Sequence, residues 1–171
     1  MKQILLIISF IGWSIAMLVF MASFNGINLS NLLPYVSILN IGIFVVLTPA
    51  IYIAKDHPRI SMHNDNDDGI SLTPFIKSAP ILIIILLLLS FIFAVYGFAS
   101  SLMLNSGSVE FVNGNYILKI NDNIKFISEN EYNKLNLEGF KKFSSAWLIF
   151  YSIGILIING LIRWEKDEYV Y

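Results

Sequence analysis

The stretch from Pro80 to Leu104, PILIIILLLLSFIFAVYGFASSLML, decides the fold, because it runs its whole length without an Asp, Glu, His, Lys or Arg. The hydrocarbon core of a bilayer is about 30 Å thick and a helix rises about 1.5 Å per residue, so about 20 apolar residues span it. This stretch therefore reads as a transmembrane helix. Three others meet the same standard of length and lack of charge: about Ile4 to Phe24, about Leu32 to Ala54, and about Phe143 to Ile162. The expected fold class is a mainly α membrane protein, four transmembrane helices forming a bundle, in a single polytopic domain over 1–171.

Composition agrees. Of 171 residues 56% are hydrophobic and 13% charged, against about a quarter charged in soluble domains. A formal net charge of -1 supplies no global field to recruit nucleic acid, so no nucleic-acid partner is expected. The absence of cysteine excludes disulfides, thiolate metal sites and cysteine nucleophiles.

The first segment has Lys2 before it and the small pair Ala22 and Ser23 near its end, as a cleaved signal peptide has. Its apolar run exceeds the 7–15 or so residues of a signal core, and bulky residues precede Ala22, so it reads as a retained anchor. Orientation follows the cations of the short loops. Lys2, Lys55, Arg59, Lys77, Arg163 and Lys166 fall at one end of the spans, and the first loop, Asn25 to Asn31, has no charge. This predicts both termini cytoplasmic, a cytoplasmic loop over 55–79 and an extracytoplasmic insert over 105–142, and the richness in Ile, Asn and Lys, which looks like an AT-rich bacterial coding bias, makes the expected membrane a bacterial inner one. The insert holds five lysines, but a long polar loop translocates largely regardless of charge.

Within the insert, Val109 to Val112, Tyr116 to Ile120 and Ile124 to Ile127 are β-prone runs separated by Asn113-Gly114-Asn115 and Asn121-Asp122-Asn123. Asn and Gly accept the positive φ of tight hairpin turns, so an extracytoplasmic β-hairpin or meander is expected. Ser128 and Glu131 have capping-box spacing, which predicts a short helix from Glu129 carrying Tyr132, Leu135 and Phe140, with Gly139 as a break before the last span. The cytoplasmic loop reads as a flexible connection.

Chemistry is sparse. Asn64, Asn66, Asp68 and Gly69 imitate a calcium loop, yet Phe75 stands where its bidentate Glu belongs. His57 and His63 lack further ligands on a defined scaffold, so no metal and no cofactor are expected. No nucleophile elbow, phosphate-cradling loop or catalytic carboxylate pair occurs, so no catalytic residue is assigned and an enzyme is not expected. Asn40, Thr48, Tyr96, Tyr151, Ser152 and Asn159 are polar groups within the spans, read as interhelical hydrogen-bonding partners. Pro49 removes one backbone bond from the second span. Gly12 with Ala16, and Gly97 with Ser101, have small-xxx-small spacing. Trp147 and Tyr151 at one end of the last span, with Trp164 and Tyr169 at the other, read as interfacial depth anchors.

LNIGIFVVLTP from Leu39 to Pro49 and FSSAWLIFY from Phe143 to Tyr151 together resemble a group of small bacterial inner-membrane proteins with a Gly-Ile-Phe-Val-Val segment before a proline and a Phe-Ser-Gly-His-Trp-like segment before the last helix. The resemblance covers about a quarter of the chain. It places histidines where this chain has Asn40 and Ala146 and a glycine at Ser145, brings no activity with it, and supports the membrane architecture. Asn40, Thr48, Pro49, Trp147, Tyr151 and Asn159 are the candidate packing or functional residues. The favoured expectation is a non-enzymatic interaction or accessory protein whose partners are the lipid bilayer and a membrane or extracytoplasmic protein, with homo-oligomerisation open. A toxin-immunity-type protein and a minor channel or transporter component are the alternatives.

Overall fold

A computed structural model describes residues 1–27, 29, 38–61, 71–102, 107–120 and 123–168. The opening of the expected second span (32–37), the calcium-like stretch with His63, the Asn121-Asp122 turn and Tyr169 lie outside the described residues. The elements run α1 (Lys2–Phe24), α2 (Ile38–Lys55), α3 (Pro58–Ser61), α4 (Thr73–Ser78), α5 (Ile81–Leu102), β1 (Ser108–Val112), β2 (Asn115–Ile120), β3 (Asn123–Phe126) and α6 (Glu129–Glu168). Four of these helices, α1, α2, α5 and α6, are long and apolar enough to cross a membrane.

Helix α6 is the hub. It packs against α1, α5 and α2, and α1 also packs against α2. The residues of α6 from Leu156 to Ile158, with Ile155 and Leu161, are buried in succession, as befits a helix that is apolar all round and covered on every side. The outer faces of its neighbours are apolar too: Ile4, Leu18, Phe44, Ile81, Leu82 and Phe91 are exposed. Inside sit serines, of which Ser9, Ser23, Ser90, Ser144 and Ser152 are buried. Each donates to a carbonyl of its own helix, as in Ser9 Oγ to Leu5 O at 2.7 Å and Ser90 Oγ to Leu86 O at 2.8 Å. None of these five hydroxyl protons is thereby left unpaired in the apolar interior.

The 40 residues of α6 make a rod about 60 Å long at 1.5 Å per residue. The expected short helix is therefore the opening of this rod, and Gly139 does not break it. A helical glycine costs only about 1 kcal/mol relative to alanine, and burial of the next residue, Phe140, holds the helix through that point. The predicted start is present: Glu131 N donates to Ser128 Oγ at 3.2 Å.

At that end, β1, β2 and β3 form an antiparallel meander in the order β1-β2-β3. Asn113 (φ 52°) and Gly114 (φ 81°) close the first hairpin in the left-handed conformation the pair was expected to adopt. The sheet rests on α6 through β1 and β2. Tyr116 packs tilted against Tyr132 with ring centroids 4.9 Å apart, and Phe111 follows Tyr116 at 4.8 Å.

The far end brings Lys2 of α1 to Glu165 of α6 in an ion pair, so the two ends of the chain share one end of the fold. There the 55–79 connection, expected to be loose, is ordered over its described residues. Ile60 of α3 and Phe75 of α4 are fully packed. Phe75 stacks on Trp164 at 4.7 Å and lies against Gly160, where an added Cβ would come within 2.6 Å of the ring. Trp164 is 2% exposed, and so serves as a packing center instead of an interfacial anchor. His57 covers it at 4.9 Å and the Arg59 guanidinium at 5.5 Å. Arg163 donates to Ser78 O at 2.5 Å, which pins the end of α4.

Candidate functional site

The expected polar residues of spans two and four converge where α2 meets α6. Tyr151 projects from α6 into a socket made by two glycines. A Cβ on Gly12 of α1 would run into the Tyr151 ring carbons, and a Cβ on Gly42 of α2 would run into its hydroxyl. The hydroxyl donates to Leu39 O at 2.9 Å. Three helices are thus keyed by one side chain, and the small residues of α1 are explained as a seat for α6 within the same chain. Gly97 of α5 does the same on another side of α6, where its added Cβ would meet Ser145 and, at 2.9 Å, the Lys141 carbonyl.

One turn from Tyr151, Trp147 Nε1 donates to Asn40 Oδ1 at 2.6 Å. The indole is buried, so its N–H needs this acceptor. Trp147 and Tyr151 act as inward keys and not as depth anchors, the difference arising from the paired acceptors that α2 offers.

On the outer side of this contact runs a groove of 470 Å³ between α2 and α6, with Asn40, Ile43, Thr48, Phe143, Ala146 and Trp147 among its walls. Asn40 and Ala146 face the same groove. Pro49 lies inside α2 and leaves the Val45 carbonyl without its i+4 donor. Asn159 does not join the group: its Oδ1 is buried without a hydrogen-bond partner among the described residues, and it does not line the groove.

The groove wall is almost wholly aliphatic, aromatic or amide. It offers no nucleophile activated by a base, and no group of three metal-ligating side chains occurs among the described residues. What the wall can offer is an apolar shape with a hydrogen-bonding group at Asn40 and at Thr48. Gly154 and Gly160 carry no sequence signature of this packing, Gly42 stands out only within the Gly-Ile-Phe-Val-Val segment, and Phe75 only as a mismatch to a calcium loop. Gly154 admits Val46, whose Cγ1 lies 2.7 Å from its added Cβ. The only signal was the presence of glycines in an otherwise bulky span, which tells that something approaches but not what.

Comparisons with protein-family models, with curated proteins and with solved structures give no match for this chain.

Proposed function

We propose that this chain is a multi-pass bacterial inner-membrane protein of the interaction or accessory class, a four-helix bundle with both termini cytoplasmic and the meander held outside as a recognition cap. The observation that carries the reading is the unbroken α6, Glu129–Glu168, which joins the apolar helices to the sheet as one rod. A cap on a rigid rod keeps a fixed height and azimuth over the membrane, which suits a docking surface.

The exposed apolar outer faces favour hydrocarbon surroundings, since a soluble monomer rarely exposes contiguous apolar patches beyond a few hundred Å². Against a conducting role, coupled pathways use ionisable side chains in the spans, and the buried serines here spend their protons on their own helices. Against an enzyme, the groove lacks an activated nucleophile.

Affinity capture in mild detergent from the organism that makes the protein tests this. A chain whose residues 107–128 are replaced by a Gly/Ser connection of equal length keeps α6 and the helices. Loss of a reproducible partner in that variant is expected. A partner retained at wild-type yield, or none captured by either chain, overturns the reading.

A further inference from the structure

The sheet has two edge strands, β1 and β3, and of these β3 is exposed at every residue whereas β1 is half-buried at Val109 and Glu110. The register of β3 against β2 is Ile117↔Phe126, Leu118↔Lys125, Lys119↔Ile124 and Ile120↔Asn123. Ile127 N donates to Tyr116 O at 3.0 Å, which makes Ile117↔Phe126 a non-hydrogen-bonded pair. Alternation along an antiparallel ladder then turns the N–H and C=O of Asn123 and Lys125 toward β2, and those of Ile124 and Phe126 away from the sheet. The same two residues are 61% and 71% exposed. Their side chains share one face of the sheet, with Lys125 on the other.

We infer that β3 receives an extended segment of another protein as a fourth strand, in which an acidic side chain stands opposite Lys125 and apolar ones flank it. The inference rests on the cap being a docking surface and specifies where and how it docks. Charge selects the occupant. A second copy added antiparallel, with Ile124 opposite Phe126, would set Lys125 directly against Lys125 of that copy, and like charges facing each other across a ladder are destabilising. An acidic residue in that place turns repulsion into a favourable cross-strand pair. The main-chain groups of Ile124 and Phe126 supply the bonds, and their side chains supply the apolar contact, which is the strand-addition mode of peptide recognition.

The register also supplies the test. A proline at 124 removes an N–H that points away from β2, so it spares the ladder within the cap, whereas an added strand loses a bond and meets the ring. The photocrosslinker p-benzoylphenylalanine replaces Phe126 in the full chain, in cells of the source organism, and the crosslinked peptide is sequenced. The expected result is one segment of another protein with an acidic residue between apolar ones. Its yield falls at least tenfold with Ile124→Pro, severalfold with Lys125→Glu, and less with Ile124→Ala than with Ile124→Pro, because alanine loses part of the apolar contact but keeps the N–H. Crosslinking to lipid or to a second copy of this chain overturns the inference, as does a yield that Ile124→Pro leaves unchanged. If Phe126 gives no crosslink while the same probe at Phe111 or Asn115 captures a partner, the strand edge is wrong and the docking cap stands. No crosslink from any of the three positions overturns both.

Discussion

The socket of Tyr151 makes an unusual demand on mutants of Gly42. In Gly42→Ala the new methyl would collide with the Tyr151 hydroxyl and with nothing else closely, since the next ring atoms are 3.5 Å (Cζ) and 3.9 Å (Cε1) away, an ordinary contact. Overpacking of this kind costs about 1–3 kcal/mol, offset by about 1 kcal/mol of helix propensity. Tyr151→Phe alone loses the bond to Leu39 O, about 0.6 kcal/mol for an interhelical hydrogen bond in a membrane and at most about 1.7. In the double variant the hydroxyl is gone and the methyl fits, so the collision disappears while the propensity gain stays. The two substitutions should therefore couple by about 1–3 kcal/mol, the size of the relieved collision. Tyr151→Phe, destabilising in the wild type, becomes stabilising in Gly42→Ala. Gly12→Ala is the control, because its methyl strikes the ring carbons and removal of the hydroxyl leaves that collision in place. Reversible unfolding of the four proteins in mixed micelles measures the cycle. Additivity within about 0.5 kcal/mol for Gly42, or equal rescue of Gly12→Ala, would refute the keyed packing.

Asn40→Ala strands the buried Trp147 N–H and should cost about 1–3 kcal/mol, with Asn40→Ala/Trp147→Phe more stable than Asn40→Ala alone in thermal melts of the detergent-solubilised protein. Phe75→Ala empties the seat between Gly160 and Trp164; about 3–5 kcal/mol is the usual cost for a buried phenylalanine, read as faster maleimide labelling of a cysteine introduced at Leu72. Burial, followed by the charge of Glu129 and its hydrogen bond, raises the Tyr116 phenol above its ordinary value. An unfolded cap therefore ionises first, and its stability, constant below about pH 10, falls as the pH rises toward the folded value; Tyr116→Phe should abolish that alkaline slope in proteolysis of the cap.

What the sequence made legible and what it hid divide along a physical line. The four long apolar helices, the Asn113-Gly114 turn and the Ser128 start are local, set by apolar runs, positive φ and a single side-chain acceptor. Asn40, Trp147 and Tyr151 were recognisable as polar or aromatic groups within apolar spans, but their pairing spans more than a hundred residues of chain. Trp164 and Trp147 carry the composition of interfacial anchors, and only the arrival of Phe75 and of α2 turns them inward. Gly139 is a helix breaker by propensity, overruled by packing. The order of the described residues of the 55–79 connection could not be read, because it depends on Gly160 making room for Phe75.

The central claim is that the cap and the Lys2–Glu165 end face opposite sides of a membrane, with the cap outside. Because the chain has no cysteine, single cysteines at Lys125 and Lys77 can be probed with a membrane-impermeant maleimide in intact spheroplasts. The account predicts labelling at 125 at once, and at 77 only after permeabilisation. Labelling of 77 from outside, or of both positions from one side, would contradict it.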